Sequence, residues 1–473
     1  MPVSPAFRPE ITHLALGGSF YDPVKPADFP QTILRYRNDA WAKRTGLDSL
    51  SDAEWIAHFG RFEPLPGSLP DPLALRYHGH QFRSYNPHLG DGRGFLFAQL
   101  RDDRGRLLDL GTKGSGQTPY SRRGDGRLTL KGGVREVLAT SMLEALGVDT
   151  SKSFSLVETG DSLFRNDEPS PTRAAVLVRL SHSHIRIGSF QRLLAMNAAE
   201  GVGQLLAHCV THYAPEARRN SAPEEAAAFL DSVMRKTART CARWLAAGFV
   251  HGVLNTDNIN ITGESFDYGP YRFLPHYDPG FTAAYFDETG LYAFGRQPDT
   301  IAWNLARLAE TLLMIASREA LEEVLKTYPD VFWPEMRIAH SRRLGLAPAD
   351  DATEDRFSKD LFVFLQQSVI PFEGAMFDLY GGPARLKKAM SGERAAFYTH
   401  PAFEPVRAAL EARKPAEAAK LTHPYFRRAH PHTLVYDEIE ALWAPIAERD
   451  DWSAFYAKLT EIDLVRDAYE LAE

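Results

Sequence analysis

HGVLNTDNINITGESFDYGP, residues 251–270, is the stretch on which the fold turns. His251 opens it, Asp257 and Asn258 follow in a polar loop, and Asp267-Tyr268-Gly269 closes it. Between them INI, TGE and SFDY predict a short hairpin. An amide oxygen and a carboxylate are hard ligands of the kind that hold Mg²⁺ against bridging phosphates. The plain alternative is a polar loop that joins a helix to a hairpin.

Upstream of that loop the pattern is one of strands. GFLFAQL (94–100), the turn DDRG (102–105) and RLLDLGTK (106–113) predict a hairpin with Gly105 at its turn. VREVLATSMLEALG (134–147) has helical apolar spacing and a closing glycine. SFSLVET (153–159) and AAVLVRL (174–180) read as further strands. Downstream, 203–213, 224–247, 298–316, 317–328 and 355–370 carry helical periodicity. Residues 1–72 are rich in proline and aromatics, with one helical stretch around Ile33–Thr45. They read as an extension, since PLPGSLPDP (64–72) can continue neither a helix nor a central strand. The tail beyond about 375 is mostly helical, and EARKPAEAAK (411–420) reads as a solvated helix face. A small sheet with one helix, followed by a larger helical half, is the order of a two-lobed, protein-kinase-like α+β fold. The expected division is an N-terminal extension (1–72), a small lobe (73–190), a helical lobe with the loop (191–340) and a helical C-terminal extension (341–473).

Composition narrows the function classes. The 473 residues are 44% hydrophobic and 24% charged, which suits a soluble globular chain. Fifty-four Lys and Arg against 61 Asp and Glu give a net charge of −7, so no global basic field draws the protein to nucleic acid or anionic membrane. Any anion it binds must be held by a local cluster. Two cysteines, Cys209 and Cys241, are too few for a disulfide framework and suit a reducing compartment. No apolar run reaches the ~18 residues of a membrane span, and the N-terminus lacks a secretory pattern. A cytoplasmic location is expected.

Three further constellations carry chemistry. Lys113 ends the hairpin's second strand, and Glu136 lies early in the helix that follows. In kinase-like folds such a lysine contacts nucleotide phosphates and is anchored by such a glutamate. LGDGRG (89–94), GTKGSG (111–116) and SRRGDGR (121–127) bracket Lys113 with glycines that let backbone N–H groups approach phosphate, and with arginines that can fork onto it. Ordinary tight turns are the alternative for each taken alone. In VRLSHSHIRIG (178–188), Arg179 and Arg186 could reach the same phosphates. His182 and His184 share a strand face but lack a nearby third ligand, so a structural role is favoured over a metal. The 251–270 stretch keeps a kinase's His-to-Asn spacing and its Asp–aromatic–Gly, yet Val253 stands where the catalytic aspartate belongs. A valine accepts no proton, and Asp257 is the spare carboxylate.

The chain resembles the selenoprotein O family, protein adenylyltransferases with a pseudokinase fold. The likeness rests on YHGHQFRSYNPHLGDGRG (77–94), KGSGQTPYSRRGDGR (113–127), REVLATSMLEALG (135–147), SHIRIGSF (183–190), HGVLNTDN (251–258), FDYGPYRFLPHYDPGF (266–281) and AWNLARLAETL (302–312). The resemblance implies that ATP binds flipped relative to a kinase, so that AMP passes to Ser, Thr or Tyr hydroxyls of proteins, this chain included. It implies nucleotide contacts at Gly90, Gly92, Arg93, Lys113, Asp125, Gly126, Arg179, Arg186 and Asp267. Glu136 matches the family's helix glutamate, Mg²⁺ or Mn²⁺ would sit on Asn258 and Asp267, and Asp257 would accept the proton. Many members end in a cysteine or selenocysteine motif; no cysteine follows Cys241 here, so redox control through such a tail is not supported. A kinase-like phosphotransferase and a non-catalytic ATP-binding scaffold are the competing functions.

Overall fold

The computed structural model describes residues 3–166 and 168–471. Its strands are β1 (Arg8–Glu10), β2 (Tyr21–Pro23), β3 (Ile33–Arg37), β4 (Leu73–Leu75), β5 (Gly79–Gln81), β6 (Ser84–Asn86), β7 (Leu96–Arg101), β8 (Leu107–Lys113), β9 (Leu128–Thr129), β10 (Lys152–Leu163), β11 (Thr172–Ser181), β12 (Phe249–His251) and β13 (Tyr271–Phe273). The main sheet is antiparallel, in the order β2-β4-β7-β8-β11-β10-β3, with β1 added to β7 and β9 to β11. From residue 187 to the C-terminus the structure is mostly helical, which makes the chain a mixed α+β protein. Among the described residues no helix is long and apolar enough to cross a membrane.

Strand alternation explains how the sheet is sandwiched. On β11, Ala175 and Leu177 join the core that contains helix Leu130–Ala145, whereas Val176, Val178 and Leu180 join a second core with Trp41, Trp55 and Phe59. Successive side chains point to opposite faces, so a strand buried on both sides reads as an unbroken apolar run. The same parity on β8 puts Leu107 with the helix face and Leu108 and Leu110 with the other. Lys113 shares the parity of Leu107, and Arg179 that of Leu177. Both are therefore delivered to the face covered by helix Leu130–Ala145, which is capped by Thr129 accepting from the Gly132 N–H at 3.1 Å.

Several local expectations are corrected. INI and SFDY do not pair with each other; β12 and β13, outside them, form the hairpin, while Asn260 bridges to Arg186 and Ser265 to Thr150. The segment is spent on tying the loop to the sheet half instead of on itself. The helical stretch at Ile33–Thr45 is strand β3, then Asn38, whose side chain accepts from the Trp41 N–H and caps helix Asp39–Thr45. With β1 and β2, β3 enrols the N-terminal stretch in the main sheet. EARKPAEAAK is not a helix face: the helix Phe403–Glu411 ends there, because Pro415 has no N–H to continue it. Arg413 within it is buried on Glu354 at 2.7 Å. Helix Ser453–Tyr469 packs against helix Leu130–Ala145, and Lys131–Glu440 at 2.7 Å and Arg173–Asp450 at 2.6 Å tie the C-terminal region to the sheet half.

Buried histidines make this fold sensitive to acid. Burial pushes His13 and His340 down to about 4 and His208 down to about 3, below the ~6.5 of an unfolded histidine. The unfolded chain therefore binds more protons between those values, and stability present above pH ~6.5 is lost as pH falls toward 4. Urea midpoints should be lower at pH 5 than at pH 7.5 by an amount equivalent to on the order of 1–2 kcal/mol per histidine. Equal midpoints would show that these side chains do not report on folding.

Candidate active site

One cleft of about 740 Å³ gathers nearly every residue picked from the sequence. Gly90, Gly92, Arg93, Lys113, Asp125, Gly126, Arg179, Arg186, Asp257, Asn258 and Asp267 all line it, as does Val253. Glu136 lies behind it, buried, and accepts from Lys113 Nζ. Among the described lining residues eight are Arg or Lys and four are Asp. In a chain of net charge −7 that is a local reversal of sign, the condition set above for binding an anion.

The Gly-rich loops lock together to form the cleft's wall. Ser121 Oγ donates to Gly92 O at 2.5 Å, and Thr118 Oγ1 donates to Asp91 O. The Tyr120 ring lies flat against Gly90, where a Cβ would stand 2.3 Å from Cγ of the ring, so no other residue fits that approach. Asp125 accepts from the Arg127 N–H at 2.9 Å and pairs with Arg165 at 2.8 Å, which orders the turn that carries Gly126.

Lys113 Nζ joins two carboxylates: it donates to Glu136 Oε1 and, at 2.5 Å, to Asp267 Oδ1. Arg179 Nη1 stands 3.7 Å from the same Asp267 oxygen, and the Arg179 Nε has no hydrogen-bond partner among the described residues. Burial alone would raise the Asp267 carboxyl; Lys113, Arg179 and Arg93 outweigh it and hold the group far below the usual carboxylate range. Asp267 has a positive φ of 65° and its side chain is 28% exposed, so the ionised group faces the cleft. Asn258 Nδ2 donates to Val253 O at 2.9 Å, which commits the amide nitrogen and leaves the oxygen for another partner.

Asp257 is a different carboxylate. It is buried, its Oδ1 has no hydrogen-bond partner among the described residues, and burial pushes it up to about 6 against the pull of Arg186. Arg186 is held from several sides: Nη1 donates to Asp257 O at 3.2 Å, Nη2 is 3.6 Å from Asp91, and the guanidinium stacks on Tyr77 at 4.2 Å. His251 is spent structurally, with its ring between Phe266 O at 3.0 Å and the Val253 N–H at 3.3 Å. His184 is buried beside Asp109, which accepts its backbone N–H at 2.9 Å.

Sequence reasoning passed over Asp91, Tyr77, Arg122 and Arg123, which also line the cleft. The arginine pair was visible within SRRGDGR, and both residues adopt positive φ, 48° and 71°. Asp91 lies inside LGDGRG and its carboxylate accepts from the Leu75 N–H at 3.0 Å, whereas the place of Tyr77 comes from packing on Arg186.

Residues 4–463 match the family described as protein adenylyltransferase SelO. A protein nucleotidyltransferase YdiU from Synechocystis sp. is 44% identical, over 93% of this chain and 94% of its own. A second, from Trichodesmium erythraeum, is 41% identical over 95% of this chain and 96% of its own. A crystal structure of a Stt7 homolog from Micromonas algae soaked with ATP aligns with 78% of this chain and 96% of its own at 17% identity. Its TM-score of 0.24 is too low to bear on the fold.

Proposed function

The chain belongs to the SelO family of protein adenylyltransferases, and from that membership we propose how its cleft carries out the transfer. The protein is a nucleotidyltransferase that acts on proteins, with ATP as substrate. The reading is carried by one observation: a cation-rich cleft holds a strongly ionised aspartate, Asp267, and a buried one, Asp257, with an unpartnered oxygen.

In this reading the phosphates of ATP lie on the loops of Gly90, Gly92, Arg93, Asp125 and Gly126. Lys113, Arg179 and Arg186 neutralise them, and Glu136 holds Lys113 in place. Asn258 and Asp267 offer two hard oxygen donors, which would suit Mg²⁺ or Mn²⁺. Such an ion, when bound, withdraws charge from the phosphates as a Lewis acid. The architecture is that of a two-lobed kinase, in which strands of 1–72 complete the sheet of 73–190, followed by 191–340 and 341–473.

ATP lies reversed relative to a kinase and presents its α-phosphorus to the acceptor. The oxygen of a Ser, Thr or Tyr hydroxyl bonds to that phosphorus, and the bond from phosphorus to the oxygen bridging to the β-phosphate breaks. Pyrophosphate leaves and the hydroxyl proton passes to Asp257. Val253 lines the cleft where a kinase would keep its base, which disfavours phosphotransfer.

Incubation with ATP and Mg²⁺ should add an AMP-sized mass to acceptor proteins or to the chain itself. Label should pass from the α-phosphate and not from the γ-phosphate. Passage of γ-label would overturn the reading in favour of a kinase, and ATP binding with passage of neither label would favour a scaffold.

A further inference from the structure

The hairpin β5–β6, from the stretch YHGHQFRSYN, reaches the cleft wall through Gln81 and is fastened to the residues just before Asp257. The His80 N–H donates to Thr256 Oγ1 at 2.7 Å and the Phe82 N–H to Asn255 Oδ1 at 3.0 Å. At its base Gly79 lies so close that a Cβ there would be 3.0 Å from Asp257 Oδ1. The two residues of its turn, Phe82 and Arg83, both have positive φ, 49° and 64°. That turn ordinarily takes Asn-Gly, and each bulkier residue in it costs about 1–2 kcal/mol. The strain is retained where a large side chain is placed beside the loop of Asp257.

A second segment meets the hairpin there. Tyr292 Oη donates to the same Asn255 Oδ1 at 2.6 Å, and the Phe82 ring packs on Tyr292 at 4.9 Å and on Phe286 at 5.9 Å. Tyr285 is 84% exposed and Phe286 47%, although Ala283, Ala284 and Asp287 around them are buried. The loop is not slack: the buried Asp287 carboxylate accepts from the N–H groups of Leu291 and Tyr292, each at 2.8 Å. Two large apolar rings are thus held in water on a fixed loop, one contact from the residue pair that adjoins Asp257. Leaving such area wet forgoes roughly 25 cal/mol per Å², and contiguous exposed aromatics of this kind mark interaction surfaces.

We propose that Tyr285 and Phe286, backed by Phe82, form the ledge on which an extended segment of the acceptor protein docks, through an apolar side chain close in sequence to the hydroxyl being modified. The proposal rests on the reading that Asp257 serves that hydroxyl. The acceptor is the occupant because a protein nucleotidyltransferase must bring one to this loop, and Phe82, which backs the ledge, hydrogen-bonds Asn255 of the cleft lining.

The test uses the full chain, Mg²⁺, α-labelled ATP and synthetic peptides with one Ser, Thr or Tyr. Phe, Leu, Asp or Lys is placed singly at each flanking position. Phe or Leu at one such position should raise kcat/KM about tenfold over Asp or Lys, the scale of one apolar pocket contact. The Tyr285→Ser/Phe286→Ser double variant, altered only at exposed positions, should lose that preference while its ATP affinity by calorimetry is unchanged. Indifference of the unsubstituted protein to flanking residues would overturn the ledge, as would a preference that survives in the variant. So would labelling of whole proteins with no labelling of any peptide. Failure to label any acceptor, whole proteins included, overturns the functional reading itself.

Discussion

Asp257→Ala should lower nucleotidyl transfer by ~10²–10⁴-fold, the usual worth of a positioned general base, with affinity for ATP and metal almost unchanged. The separation of the two effects follows from the geometry. Arg186 donates to the backbone oxygen of Asp257, so truncating the side chain leaves that guanidinium bond in place. Oδ1 has no hydrogen-bond partner among the described residues, so its loss orphans no donor. The phosphate cradle and Asp267 are untouched. Transfer rate with α-labelled ATP and ATP affinity by calorimetry decide the matter. A matching loss of ATP affinity would make Asp257 a ligand-positioning group, and full activity would remove it from the mechanism.

Asp267→Ala should nearly abolish transfer. A carboxylate that holds a divalent ion against phosphates supplies several kcal/mol of charge stabilisation, or ~10²–10³-fold and more in rate. The substitution also unbalances the site, because Lys113 and Arg179 both converge on this side chain. Lys113 would keep only Glu136, and the cleft would hold one anion fewer against the same cations. The variant should therefore still bind ATP while losing its dependence of affinity on Mg²⁺. Calorimetric titrations of ATP with and without Mg²⁺ read this directly. Retained Mg²⁺ dependence with near-normal transfer would sink the assignment of this loop as the metal site. Asn258→Ala should cost less, since it removes a neutral ligand.

Much of the site was legible because its parts are short and their chemistry is local. Lys113 could be placed at a strand end from the hairpin turn DDRG followed by RLLDLGTK, and Glu136 on a helix from the apolar spacing of VREVLATSMLEALG. The interval from His251 to Asn258 could be counted without any tertiary knowledge. The hairpin INI–TGE–SFDY failed for the complementary reason. Its residues have strand character, but which strand pairs with which is settled by burial far away in sequence, and Asn260 and Ser265 were claimed by Arg186 and Thr150. Likewise nothing in Ile33–Arg37 announces that it will pair with β10, more than a hundred residues later.

The amino-acid sequence alone determined the mixed α+β class, the strand-rich part before the helical one, and the concentration of glycine and arginine in the loops that line the cleft. These follow from side-chain periodicity, backbone permissiveness and charge, which act between near neighbours in the chain. The tertiary structure alone decided that Lys113, Arg179 and Asp267 share one point, that Asp257 is buried enough to be pushed up to about 6, and that Tyr285 and Phe286 stay in water next to Phe82. Desolvation and the convergence of charges depend on which distant segments pack together, and that is set only when the whole chain closes over the cleft.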